Sequence, residues 1–104
     1  MKAVHDKAVR DRIPEIIQAA GKECAFEQVS EEVFLKLLQN KLKEEVAEYL
    51  AEPSLEELAD IQEVLLAIVR LSGYSQEDLE AVRKEKAQRR GGFEKRLLLK
   101  YVLE

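Results

Sequence analysis

The sequence has one cysteine, Cys24, and one histidine, His5, so it has no intrachain disulfide and no Cys/His set for zinc. Any metal must be held by oxygen. No window approaches the roughly 18 apolar residues of a membrane span. The N-terminus Met1-Lys2-Ala3-Val4-His5-Asp6 lacks the apolar core of a secretory signal. A soluble, cytoplasmic protein is expected. An excess of charge of one sign is also missing: 37% of residues are charged, yet the formal net charge is only −4. The interspersed charges argue against duplex DNA or RNA as a partner. What remains is 104 residues, 46% of them apolar, enough for a single domain over residues 1–104 with a modest core.

Proline and glycine are few and sit where helices begin and end. Asp11-Arg12-Ile13-Pro14 reads as a helix start with Asp11 as N-cap and Pro14 in the first turn, and Gly21 closes that segment. Residues 24–29 fit a short strand or an extended link. Ser30 caps a long second helix to about Glu52, where Pro53 stops it. Ser54-Leu55-Glu56-Glu57 has the pattern of a capping box and starts a third helix at once, which forces an antiparallel hairpin. That helix ends near Ser72 at Gly73, and Ser75 caps a fourth running to Arg90, before Gly91-Gly92. The tail from Phe93 to Glu104 carries Leu97, Leu98, Leu99, Val102 and Leu103 and is expected to pack as a strand or short helix.

Four acids fall at odd places in this pattern. At about 100° per residue, Phe34, Leu35, Leu38, Leu42, Val46 and Tyr49 share an arc of about 120° on the second helix. Glu45 falls inside the arc, Glu48 lies on its edge near Leu37, and Glu44 points away. On the third helix Glu56, Glu63 and Arg70 form a narrow polar face, whereas Glu57 lands between Val64 and Ile68, and Asp60 between Ala67 and Leu71. Glu45 with Glu48, and Glu57 with Asp60, are i, i+3 pairs whose Cβ atoms lie about 5–6 Å apart. The pairs mirror each other across Pro53 and should face one another. Inward carboxylates repel and pay for lost hydration, so a hard cation, Mg²⁺ or Mn²⁺, is the simplest compensation. An E-E-x-x-E run also reads as an ordinary solvated helix face.

On the fourth helix the stripe of Leu79 and Val82 continues into Lys86 and Arg90, with Arg83 beside it. A triphosphate lying between these cations and the acids would account for the change, although basic residues near a helix C-terminus also complement its dipole. His5 reads as a surface residue and Cys24 as a small, half-buried one. The third helix has so few polar positions that core or subunit contacts are expected over most of its surface, and a homodimer would supply the missing cover.

Lys41-Leu42-Lys43-Glu44-Glu45-Val46-Ala47-Glu48 followed by Glu57-Leu58-Ala59-Asp60 resembles the E-E-x-x-E and E-x-x-D signature of the MazG-like all-alpha NTP pyrophosphohydrolase superfamily. Lys7-Ala8-Val9-Arg10-Asp11-Arg12-Ile13-Pro14 and Arg90-Gly91-Gly92-Phe93 resemble the flanking motifs of its small phosphoribosyl-ATP pyrophosphohydrolase-like branch. The gap between the two acid motifs is shorter here than in longer members. The resemblance implies an all-α, four-helix-bundle-like fold with a short C-terminal extension, assembled as a homodimer or homotetramer. It also implies magnesium-dependent hydrolysis of a nucleoside triphosphate to the monophosphate and pyrophosphate, in the clearance of noncanonical nucleotides. The metal ligands then fall on Glu45, Glu48, Glu57 and Asp60, with Glu45 or Glu48 taking the proton of the attacking water. Glu44 orients water or a ligand from behind, and Arg10, Asp11, Lys86 and Arg90 are looser candidates for the phosphates. Two other functions fit: phosphoribosyl-ATP hydrolysis in histidine synthesis, and a non-enzymatic helical dimerisation or regulatory module.

Overall fold

The computed structural model describes residues 2–104; Met1 lies outside it. Its elements are four helices, α1 (Ile13–Ala19), α2 (Glu31–Ala51), α3 (Leu55–Leu71) and α4 (Gln76–Arg90), with no strand among the described residues. Among the described residues, no helix is long and apolar enough to cross a membrane. The expected all-α class is what the chain adopts, with residues 24–29 an extended link.

Local chemistry sets the helix boundaries. The Ser30 hydroxyl accepts from the Val33 N–H at 3.2 Å and the Ser54 hydroxyl from the Glu57 N–H at 3.1 Å, each meeting one orphan donor of a first turn. Ser75 and Asp78 complete a reciprocal box at α4, with the Ser75 N–H donating to Asp78 at 2.8 Å. Gly21 and Gly73 adopt φ of 82° and 89°, and each closes its helix with paired 6→1 and 5→2 hydrogen bonds: Lys22 N–H to Ile17 with Gly21 N–H to Gln18, and Tyr74 N–H to Val69 with Gly73 N–H to Arg70. A residue with a Cβ is strained in that conformation.

Two boundary expectations are corrected. The N-cap of α1 is Arg12, not Asp11, and it makes no side-chain cap; the Ile13 N–H instead closes a turn on the Arg10 carbonyl at 3.1 Å. At α3 the capping box is only half made. Ser54 caps, but the Glu57 carboxylate is turned inward and away from the Ser54 N–H. Ser54→Ala should therefore cost about 1 kcal/mol in urea unfolding. Glu57→Gln should carry no capping loss.

α2 and α3 are joined through residues 52–54 and pack as an antiparallel hairpin, with Leu38 and Val64 buried between them and Glu45 buried beside them. α3 also meets α4, slightly, and no other pair of helices is in contact. Within one chain the expected four-helix bundle is therefore represented by the α2–α3 pair. The α4 stripe expected to face inward is open to solvent at Leu79 and Val82, as is Val46 of α2, because no further element packs on them. The tail from Phe93 to Glu104 forms neither strand nor helix, and beyond the turn at Phe93–Arg96 it makes no backbone hydrogen bond among the described residues.

The molecule is long, 59 × 31 × 26 Å, with a radius of gyration of 18.3 Å. A compact chain of this length has about 13 Å. Its accessible surface is 9885 Å², where a compact 11.9 kDa chain exposes about 6,000 Å².

Candidate metal centre at the hairpin end

The hairpin turn brings the end of α2 against the start of α3, where Glu45 of the first acid pair meets both members of the second, Glu57 and Asp60. One carboxylate oxygen each from Glu45, Glu57 and Asp60 lies within 4.8 Å of the other two. Glu45 is 7% exposed, the most buried charged side chain among the described residues. Its Oε2 and the Oε2 of Glu57 are shielded from water and have no hydrogen-bond partner. Burial and then the neighbouring Glu48 carboxylate raise the pKa of Glu45 above the ordinary glutamate value of 4.5, against a partial offset from Lys41. Glu57 is likewise raised, by burial first and then by the charges of Glu48 and Asp60. Glu48 adjoins both but is exposed, and its oxygens fall outside the trio.

Cations border the cluster without filling it. Lys41, one turn before Glu45, stands 3.6 Å from its Oε1 and 3.8 Å from Glu44. From the extended N-terminal segment, Lys7 donates to Glu44 at 2.8 Å and Arg10 to Asp60 at 2.7 Å. Between those ties Ala8 is buried to 4% exposure, so the segment is a strap bound to α2 on one side and α3 on the other. The Lys7 hydrogen bond holds the Glu44 carboxyl below the ordinary range. Glu44 is thus an ion-pair partner of the strap and is not a member of the trio.

The placement of the other expected site residues is uneven. Arg10 reaches the acids. Asp11 lies exposed in the turn before α1. Lys86 and Arg90 are exposed on α4, which has no contact with α2, so within one chain they stand apart from the cluster. Arg83 pairs with Glu80 on its own helix. His5 is exposed and Cys24 half-buried, its thiol 3.9 Å from the Pro14 carbonyl. Lys7 and Ala8 entered the sequence reading only as part of the flanking motif and were given no role, and no periodicity in the N-terminal segment marks them. The Lys41–Glu45 pair was legible in its i, i+4 spacing.

The donor set is oxygen alone, suited to a hard divalent cation. Arg10 occupies Asp60, so if a cation shares that carboxylate, Arg10→Ala should tighten Mn²⁺ binding by up to about tenfold, or about 1.4 kcal/mol, in a titration followed by the electron paramagnetic resonance of free Mn²⁺. Unchanged or weaker binding would show that Arg10 and the cation do not share Asp60. No protein-family model, no curated protein and no solved structure matches the chain.

Proposed function

We propose that the chain is the subunit of a magnesium-dependent nucleoside triphosphate pyrophosphohydrolase of the MazG-like, all-α type, with its cation held at the end of the α2–α3 hairpin. The carrying observation is the pair of buried, unpartnered oxygens on Glu45 and Glu57, brought together with Asp60 at the same point. A buried carboxylate without a partner is costly, and Glu57 forgoes the nearby Ser54 N–H that would satisfy it. A divalent cation would meet both oxygens at once. The type of chemistry comes from the motif resemblance around Glu44-Glu45-Val46-Ala47-Glu48 and Glu57-Leu58-Ala59-Asp60.

Glu45, Glu57 and Asp60 would hold the cation, and Glu48 would join them or serve the reaction beside them. Bound magnesium supplies charge neutralisation for the triphosphate and acidifies coordinated water. Water attacks the α-phosphorus; the bond from that phosphorus to the α,β-bridging oxygen breaks, and pyrophosphate leaves with the electron pair. Glu48 is the acid of the group open to solvent, which suits it to take the proton of the entering water. Glu45, with its raised pKa, is the other candidate. Arg10 can exchange its partner Asp60 for a phosphate oxygen once a cation occupies the cluster. Lys86 and Arg90 would contact phosphates across a subunit boundary, since α4 does not approach α2 of its own chain.

Self-association belongs to this proposal. The surface in excess of a compact chain is roughly 3,900 Å² per subunit, and obligate homodimers bury about 2,000–5,000 Å² in total. A homodimer or homotetramer would complete the helix bundle. The function is tested by pyrophosphate release from a panel of ordinary nucleotides, noncanonical nucleotides and phosphoribosyl-ATP, with magnesium and with EDTA. Release from a noncanonical triphosphate, abolished by EDTA, is expected. Absence of turnover across the panel would refute the enzyme, and preference for phosphoribosyl-ATP would move the substrate to histidine synthesis.

A further inference from the structure

After a turn over residues 93–96, closed by the Arg96 N–H on the Phe93 carbonyl, residues 97–104 run on from α4 as an arm with no helix, strand or turn. In an extended chain alternate side chains share a side. Leu97, Leu99, Tyr101 and Leu103 therefore form one apolar edge, and each is between 74% and 87% exposed. The opposite edge mixes Leu98 and Val102 with Lys100 and Glu104. Among the described residues, no backbone hydrogen bond joins residues 97–104 to any other part of the chain. The arm thus presents both apolar side chains and free backbone groups.

We infer that this arm docks on a second copy of the chain, and that the exchange of arms between copies is the principal hold of the assembly proposed above. Two observations favour a second copy over a foreign partner. The same chain carries uncovered apolar residues on its hairpin, Val46 and Leu50 of α2 with Leu58 and Leu65 of α3, so arm and acceptor are present together and a two-fold axis satisfies both at once. The excess surface of roughly 3,900 Å² per chain also exceeds the share that each subunit of an obligate dimer buries. The arm's own helix projects from the hairpin, meeting α3 only slightly, which carries the arm outward.

The inference rests on self-association but not on the pyrophosphohydrolase chemistry, and its test uses no nucleotide. Full-length wild type, Leu99→Asp with Leu103→Asp, and Lys100→Glu on the opposite edge are compared by sedimentation equilibrium over a concentration series, with helicity followed by circular dichroism. Wild type and Lys100→Glu should be dimeric or larger. The double variant should dissociate at concentrations at least about tenfold higher than wild type does, with helicity of the dilute chain retained. An oligomer equally stable in the double variant would overturn the arm while leaving self-association standing. A wild type monomeric throughout would overturn both, and a monomeric wild type whose helicity falls with the double substitution would place the arm on its own chain instead.

Discussion

Glu45→Gln should make the metal-free protein more stable than wild type at pH 7, by about 1–2 kcal/mol, because an amide needs less hydration than a buried carboxylate with an orphaned oxygen. For a chain of this length that is about 4–8 °C in Tm per kcal/mol. The gain should depend on pH in a defined direction. Glu45 has its folded pKa raised above the ordinary 4.5, so the folded wild type binds its proton more tightly than the unfolded chain does. The stability contributed by the Glu45 proton is therefore fully present below pH 4.5 and lost as pH rises through the folded value, whereas the amide of the variant has no such proton to lose. The advantage of the variant should be absent near pH 4.5 and grow to a plateau above the raised pKa. Glu44 titrates with the opposite sign, its stabilising pair with Lys7 being lost as pH falls through its lowered pKa, but it is common to both proteins and cancels in the difference. Saturating magnesium should reverse the order, since a cation at 100 times its Kd adds about 2.7 kcal/mol to the wild type alone. A variant less stable than wild type without metal at pH 7 would mean that the Lys41 pair already compensates Glu45.

Glu48→Ala should lower kcat for pyrophosphate release by about 10²-fold or more while changing metal-free stability little. Glu48 is exposed, so its removal opens no cavity, and it relieves repulsion on Glu45 and Glu57. Loss of activity with retained or increased stability is the signature of a residue kept for chemistry. If Glu48→Gln restores nothing, proton transfer or ligation is the missing function rather than a hydrogen bond. Full activity in Glu48→Ala would remove it from the site.

The helical hairpin was legible because its signals are local. Ser30, Ser54, Gly73 and Ser75 act on backbone groups within one turn, and the stop at Pro53 leaves α2 and α3 no arrangement but antiparallel. The wheel marked Glu45 as inward, and it is. It failed for Val46, Leu79 and Val82, because periodicity says which face is apolar but not whether anything covers it. It also missed the ties of Lys7 to Glu44 and Arg10 to Asp60, which span 37 and 50 residues of sequence and depend on where an unperiodic segment falls. The capping-box pattern was misleading at Glu57 for a related reason: Asp78 completes the corresponding box at α4, whereas the Glu57 side chain lies beside Glu45 and Asp60 in spite of their like charge. The apolar tail was expected to pack as a strand or short helix, yet a strand needs a partner edge, and there is no strand among the described residues.

The hairpin as a cation site is tested most directly by Mn²⁺ binding, followed through the electron paramagnetic resonance of the free ion, in wild type and in a variant carrying both Glu45→Gln and Glu57→Gln. Wild type should bind at least one Mn²⁺ per chain, displaceable by Mg²⁺, and the double variant, folded and more stable without metal, should bind none at the same concentrations. Wild-type protein that takes up no Mn²⁺, or a double variant that takes up as much, would contradict the site.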